Sequence, residues 1–192
     1  GGSAPREAGE RGGQLLSAAR PPQGANAPLG GSAPREAGER GGLHFTWPVQ
    51  ALRAQLAPLL PGLDVEVAAQ IDSTNTELMR RVRAGRATPM LLAAERQSAG
   101  RGRLGRAWDG GDAGATLAFS LALPLAPHDW SGLSLAVGLA VAEALHPAIG
   151  LKWPNDLWWQ DRKLAGILVE TTGGAQVPDE RWVVIGVGLN LA

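Results

Sequence analysis

The chain has 192 residues, is 44% hydrophobic and balances eighteen basic against eighteen acidic residues. That length allows one ordinary domain with or without a tail, and a net charge of zero argues against a dedicated nucleic-acid binder, which carries a basic excess. The absence of cysteine excludes disulfides, thiolate zinc sites and cysteine nucleophiles.

His44, His128 and His146 show no metal-ligand spacing. No apolar run reaches the roughly 18 residues of a membrane span, and no signal segment opens the chain. The expected location is therefore the cytoplasm, with no membrane partner.

Residues 1–42 differ from the rest. The thirteen residues Gly1–Gly13 recur as Gly30–Gly42, and Leu15, Leu16 and Leu29 are the sizeable apolar groups of this stretch. Such a segment cannot offset its ordering entropy by burial, so a disordered low-complexity tail is expected. It reads as a duplicated upstream segment or an interaction arm. Residues 43–192 read as the folded domain.

Val49, Leu52, Leu56, Leu59 and Leu60 recur at helical spacing, and Pro61-Gly62 ends the predicted helix. Val65–Ile71 reads as a strand. The segment Asp72-Ser73-Thr74-Asn75 precedes a helix over about residues 76–84. Ser73 or Thr74 would cap it, with Glu77 the partner, most neatly for Thr74. Met90–Glu95 reads as a buried strand, and Ala115–Leu123 as another, ended by Pro124. A helix is expected between Trp130 and His146, with His146 at its end. Leu151–Trp153 reads as a short strand, Leu157–Trp159 and Lys163–Thr171 as a hairpin turning at Gln160-Asp161-Arg162, and Trp182–Gly188 as a last strand. Trp153, Trp158, Trp159 and Trp182 are expected in core or hairpin packing.

The stretch Gln97–Trp108 interleaves three arginines with three glycines and ends on a tryptophan. Glycine lets backbone amides approach a ligand closely. Arginine offers a planar cationic fork to phosphate or carboxylate oxygens, and tryptophan a flat apolar face. Alone, such a run reads equally well as a solvated linker. It gains meaning from other polar groups placed where strands meet loops: Ser73, Thr74, Asn75, Lys152, Asn155, Asp156, Lys163 and Asn190. Lysines and arginines neutralise phosphates, and an Asn-Asp pair suits Mg²⁺. No catalytic triad is discernible, so the chemistry on offer is electrostatic and positional.

Five stretches occur in order: Asp72–Asn75, Gln97–Trp108, Lys152–Asp156, Lys163–Glu170 and Gly186–Asn190. Over about residues 70–190 the chain resembles the catalytic domain of biotin protein ligase. The resemblance implies ligation of biotin to a lysine of a biotin carboxyl carrier protein through biotinyl-5′-AMP, with ATP and Mg²⁺. It implies that Ser73, Thr74, Asn75 and Gln97 hold biotin, together with the loop residues Gly100, Arg101, Gly102 and Arg103. Lys163 and Arg103 would stabilise charge at the α-phosphate. Gly166, Gly186 and Gly188 would let strands pass close to biotin, with the alternative that Gly186 and Gly188 are bulge glycines only. Arg106, Trp108, Lys152, Asn155, Asp156 and Asn190 would form the ATP and adenylate end, with Asp156 as the Mg²⁺ ligand.

The fold expected from the hairpin and the resemblance is α+β (α/β). It is a mixed, mostly antiparallel sheet with helices packed on one side, of the class II aminoacyl-tRNA synthetase-like, biotin–lipoate ligase type. The family has further helices and a small β domain after the Gly188-Leu189-Asn190 motif, so the fold is expected to be incomplete at its C-terminus, and activity of this chain is in doubt for that reason. No DNA-binding domain is expected before the catalytic region; a homodimer stays open. Two other functions stay open: a lipoate-type acyl-protein ligase, and a biotin-binding fragment without turnover.

Overall fold

The computed structural model describes residues 47–111, 114–173 and 180–191. The expected tail over residues 1–42 lies outside them. Among the described residues seven strands form one sheet: β1 (Asp64–Ala68), β2 (Met90–Ala94), β3 (Thr116–Leu125), β4 (Gly150–Lys152), β5 (Asp156–Trp159), β6 (Arg162–Thr172) and β7 (Arg181–Asn190). Their spatial order is β1-β2-β3-β7-β6-β5-β4. The pair β1–β2 is parallel, linked through helix α2 (Thr74–Arg83), and every other neighbouring pair is antiparallel. The expected mixed, mostly antiparallel sheet is observed. Its spine is β3 against β7, in continuous register from Thr116↔Asn190 to Leu125↔Arg181.

Successive side chains of a strand point to opposite faces, so parity along β7 sorts the packing. Trp182 and Val184 join Leu78, Met79 and Val82 of α2, with Met90, Leu92 and Ala122, in one core cluster. Leu189 joins Ala142 of α3 (Leu133–Leu145), with Leu157 and Ala165, in another. Residues 184 and 189 differ in parity within an unbroken ladder. Helices α2 and α3 therefore cover opposite faces, which corrects the expectation of helices on one side. Gly138 lets α3 press on the sheet, since a Cβ there would come within 2.7 Å of Leu151 and 3.2 Å of Ile167.

Local chemistry explains most element ends. Ser73 caps α2: its Oγ accepts from the amide of Thr76 at 3.4 Å. Thr74 is the first helical residue instead of the cap, and Glu77 ion-pairs with Arg80 and Arg81. Helix α1 (Val49–Leu56) ends earlier than expected. Pro58 lacks an N–H and crowds the preceding turn, leaving Leu59 75% exposed. Pro124 lies inside β3 instead of ending it, but beyond the β2 pairing, which stops at Met90↔Ala122. A residue without an N–H is tolerated where the ladder has an open side. The β5–β6 hairpin turns on two residues, Gln160 (φ 49°) and Asp161 (φ 58°), the left-handed pair of a type I′ turn. Arg162 thus belongs to β6 and not to the turn.

Candidate functional site

The sheet face that carries α2 also carries a cavity of about 420 Å³. Its floor follows from strand pairing. Gly166 of β6 pairs with Gly188 of β7, and Gly188 with Ala118 of β3, so three of the smallest residues lie side by side on one face. The start of α2 forms one wall, the Trp153–Asp156 segment and Lys163 form another, and the Gln97–Trp108 loop is the roof.

The loop is a small hairpin built by backbone bonds. Ser98 and Ala99 donate to the carbonyls of Ile71 and Asp72 at 2.8 and 2.9 Å. Further on, Trp108 donates to Gly100 and Gly102 to Arg106, both at 2.8 Å, and Arg101 bridges Ala107. A Cβ on Gly100 would lie 2.5 Å from the Trp108 carbonyl oxygen, so this closure requires glycine. The tip, Arg103–Gly105, is one 3₁₀ turn whose Leu104 (φ 56°) stands 89% exposed.

Trp108 lies on the glycine floor. A Cβ on Gly188 would fall 2.5 Å from its ring, and one on Gly166 2.9 Å. A Cβ on Gly186 would overlap the side-chain oxygen of Asn75. The ladders run without a bulge at 186 or 188, which excludes the bulge reading. Gly166 and Gly188 make room for the indole, and Gly186 for an amide.

The polar groups fall into two sets. At the start of α2, Gln97 Oε1 accepts from the Thr74 amide at 2.8 Å and from its hydroxyl at 3.2 Å. Ser120, fully buried on β3, bonds Thr74 Oγ1 at 2.8 Å and Asn75 Oδ1 at 2.6 Å. Asn75 Nδ2 donates to Glu170 at 3.0 Å, and the other Glu170 oxygen meets Arg101 at 3.0 Å. The Asn75 amide is thus engaged at both ends, although the residue lines the cavity. At the other end, Lys163 Nζ meets Asp156 at 2.8 Å and lies 5.4 Å from the Trp108 ring centre. Asn155 donates to the Ile167 carbonyl at 2.9 Å and faces Arg103 at 3.5 Å. Arg101, Arg103, Arg106 and Lys163 line the cavity against one lining carboxylate, Asp156, so the space favours an anion.

Of the residues expected at the site, Ser73, Thr74, Asn75, Gln97, Arg101, Gly102, Arg103, Arg106, Trp108, Asn155, Asp156, Lys163, Gly166, Gly186 and Gly188 line this one cavity. Three do not. Gly100 closes the loop behind it. Lys152 lays its ammonium 3.6 Å from the Trp158 ring centre. Asn190 donates to the Lys163 carbonyl at 3.0 Å, acting on that lysine's backbone. Trp153, expected in packing, is 79% exposed at the cavity edge, whereas Trp182 is in the core as expected. His146 ends α3 as expected. Sequence reasoning missed Ser120 and assigned no role to Glu170. The available signal for Ser120 was a hydroxyl at an inward position of the alternating segment Ala118–Ala122.

A mixed sheet of this kind, with a helix on each face and a cationic cavity between a helix start and a Gly/Arg loop, defines a class of small-anion binders built on an α+β sheet. The sequence profile of the Biotin/lipoate A/B protein ligase family matches residues 67–190, and the chain belongs to that family. It is 44% identical over 152 residues to the bifunctional ligase/repressor BirA of Escherichia coli, covering 76% of this chain and 46% of that one. It is 40% identical to the biotin–[acetyl-CoA-carboxylase] ligase of Mycobacterium tuberculosis over 74% of this chain and 55% of that one. Among solved structures, the Aquifex aeolicus biotin protein ligase in complex with biotin and ATP shares 33% identity at a TM-score of 0.50, over 66% of this chain and 52% of that one. The Helicobacter pylori biotin acetyl coenzyme A carboxylase synthetase with bound biotinylated ATP shares 32% at a TM-score of 0.55, over 67% and 62%. The chain spans about half the length of the curated relatives it matches.

Proposed function

We propose that residues 43–192 form a biotin protein ligase-type catalytic domain that activates biotin with ATP for transfer to a carrier-protein lysine. The observation that carries this reading is the cavity itself: four basic side chains and a tryptophan on a glycine floor, under the Gln97–Trp108 loop. Support comes from the relatives' bound biotin, ATP and biotinylated ATP.

In the first step a biotin carboxylate oxygen attacks the α-phosphorus of ATP, and pyrophosphate leaves. Negative charge accumulates on the α-phosphoryl oxygens. Lys163 from the wall and Arg103 from the roof loop stabilise it without moving a proton. Ser73, Thr74 and Gln97, with Arg101 and Gly102 of the loop, surround biotin, and Trp108 with Arg106 takes the nucleotide side. In the second step a lysine amine of a biotin carboxyl carrier protein attacks the acyl carbon, AMP leaves, and the amine gives up its proton. A cytoplasmic location suits ATP as co-substrate. A homodimer is open to measurement by sedimentation, and no DNA-binding role is proposed.

Asp156, the one carboxylate that lines the cavity, would hold a Mg²⁺ only together with the ATP phosphates. The carboxylate already carries the Lys163 ammonium at 2.8 Å, and the described residues hold no cluster of three His, Cys, Asp or Glu. Mg²⁺ takes one or two carboxylates with substrate phosphates and waters in octahedral array, so the phosphates of ATP would supply the other ligands. No step is routed through it.

The test is incubation with radiolabelled biotin and ATP, reading adenylate and pyrophosphate. Formation of biotinyl-AMP supports the reading. Biotin binding without adenylate would leave a biotin-binding function without turnover. A thermal shift with lipoate but not biotin would move the substrate to lipoate.

A further inference from the structure

Two polar residues of the loop, Gln97 at its start and Arg101 within it, are joined by one hydrogen-bonded chain through the protein. Gln97, at the loop's start, takes both donors of Thr74. Thr74 meets Ser120, Ser120 meets Asn75, Asn75 meets Glu170, and Glu170 meets Arg101, inside the loop. Arg101 also reaches Thr76 Oγ1 at 3.3 Å. The members come from α2, β3, β6 and the loop, so no single element sets the geometry.

Two features show that the chain is built into the fold. Ser120 is fully buried among apolar strand residues, and a buried hydroxyl needs its partners. Gly186 is the position at which a Cβ would overlap Asn75 Oδ1, so the sheet leaves space for that amide. The donor count also fixes orientation. With Nδ2 directed at Glu170 and the Leu168 carbonyl, Asn75 must offer Oδ1 to the Ser120 hydroxyl.

We propose that Glu170 and Ser120 are positioning residues, which hold Arg101 and Gln97 at a set separation and so keep the Arg101–Arg103 backbone over the cavity. Neither lines the cavity, so each acts through the loop. Arg101 carries the tie to both arms of the loop, since it bridges Ala107. Biotin as the ligand rests on the function proposed above; the tie itself does not.

The experiment compares wild type, Glu170→Gln and Ser120→Ala by hydrogen exchange of the loop amides without ligand, by tryptic cleavage after Arg101, Arg103 and Arg106, and by KM for biotin against kcat. Glu170→Gln keeps the volume and loses the charge pair with Arg101. Since that pair is partly exposed, loop exchange and cleavage should rise about 1.5- to fivefold, with the melting temperature and strand exchange nearly unchanged. KM for biotin should rise by a similar factor and kcat fall less. Glu170→Asp should recover part of the loss. Ser120→Ala should loosen the same amides, Gln97 included. Unchanged loop exchange in Glu170→Gln would overturn the proposal, as would exchange rising equally across the strands. If wild type forms no adenylate, the function fails while the exchange comparison still decides the tie.

Discussion

Asp156 and Lys163 meet at 2.8 Å across the β5–β6 hairpin, each partly exposed on the cavity wall. The pair holds the ammonium over the cavity before any anion arrives, and Asn190 fixes the lysine's backbone from β7. Lys163→Ala should therefore slow adenylate formation by roughly 100-fold or more, the usual cost of a lost charge-stabilising donor. Affinity for the carrier protein should change far less. Equal losses in both would refute the role. Asp156→Asn should cost about tenfold or less, because the ammonium stays. A loss as deep as that of Lys163→Ala would mean that Asp156 touches the substrate or a metal directly. Rapid-quench measurement of biotinyl-AMP reads both variants.

The contact of Trp108 with Gly188 leads to a second expectation. A methyl at 188 must displace the indole, because the Cβ would sit 2.5 Å from its ring. Gly188→Ala should weaken biotin and ATP binding by more than about tenfold, while stability falls by about 1–3 kcal/mol, the usual range for overpacking. Calorimetric titration beside a denaturation curve separates the two. Unaltered binding would show that the indole does not shape the ligand space.

Leu78 is fully buried on α2 in the cluster that seats this helix, and with it Ser73, Thr74 and Asn75, on the sheet. Leu78→Ala should cost about 2–5 kcal/mol. Urea unfolding at constant m-value checks it. A cost below about 1 kcal/mol would mean that the cluster does not anchor the helix.

Glu66 is held below the usual carboxylate range chiefly by its hydrogen bond to Arg81, against a smaller burial effect in the opposite direction. Its folded-state pKa is depressed, so its contribution is present above the unfolded value and is lost as pH falls through the folded one. Glu66→Gln should flatten the acid side of the stability profile below about pH 4.5 by a small amount, since the pair is partly exposed. Thermal melts from pH 3 to 7 measure it; a steeper acid limb in the variant would reverse the sign.

Much of this site could be read along the chain, because its signals are local. Ser73 lies three residues before the amide it caps, and the Gln160-Asp161 turn is written in two adjacent residues. The Gln97–Trp108 loop reads as a ligand loop once the other four motifs stand beside it, since alone its composition fits a solvated linker as well. Glu170 and Ser120 were not legible as site residues. Ser120 is 45 residues from Asn75, and Glu170 is 95 from it. A hydroxyl in an apolar strand or a carboxylate near a strand's end has many ordinary uses.

The sequence by itself determined the order of most elements and the cationic, glycine-rich nature of the loop, because capping, turn geometry and strand alternation act over a few residues, and its motifs carried the resemblance that, with the hairpin, implied the mixed α+β sheet. Tertiary structure alone decided which groups meet. Register in the β3–β7–β6 ladders set Gly166, Gly188 and Ala118 side by side as a floor. The parity of β7 sent α2 and α3 to opposite faces. Packing of Trp108 on that floor set an indole against the glycines expected to lie close to the ligand. Such outcomes depend on one-residue register and on contacts between distant strands, and neither leaves a mark in local sequence.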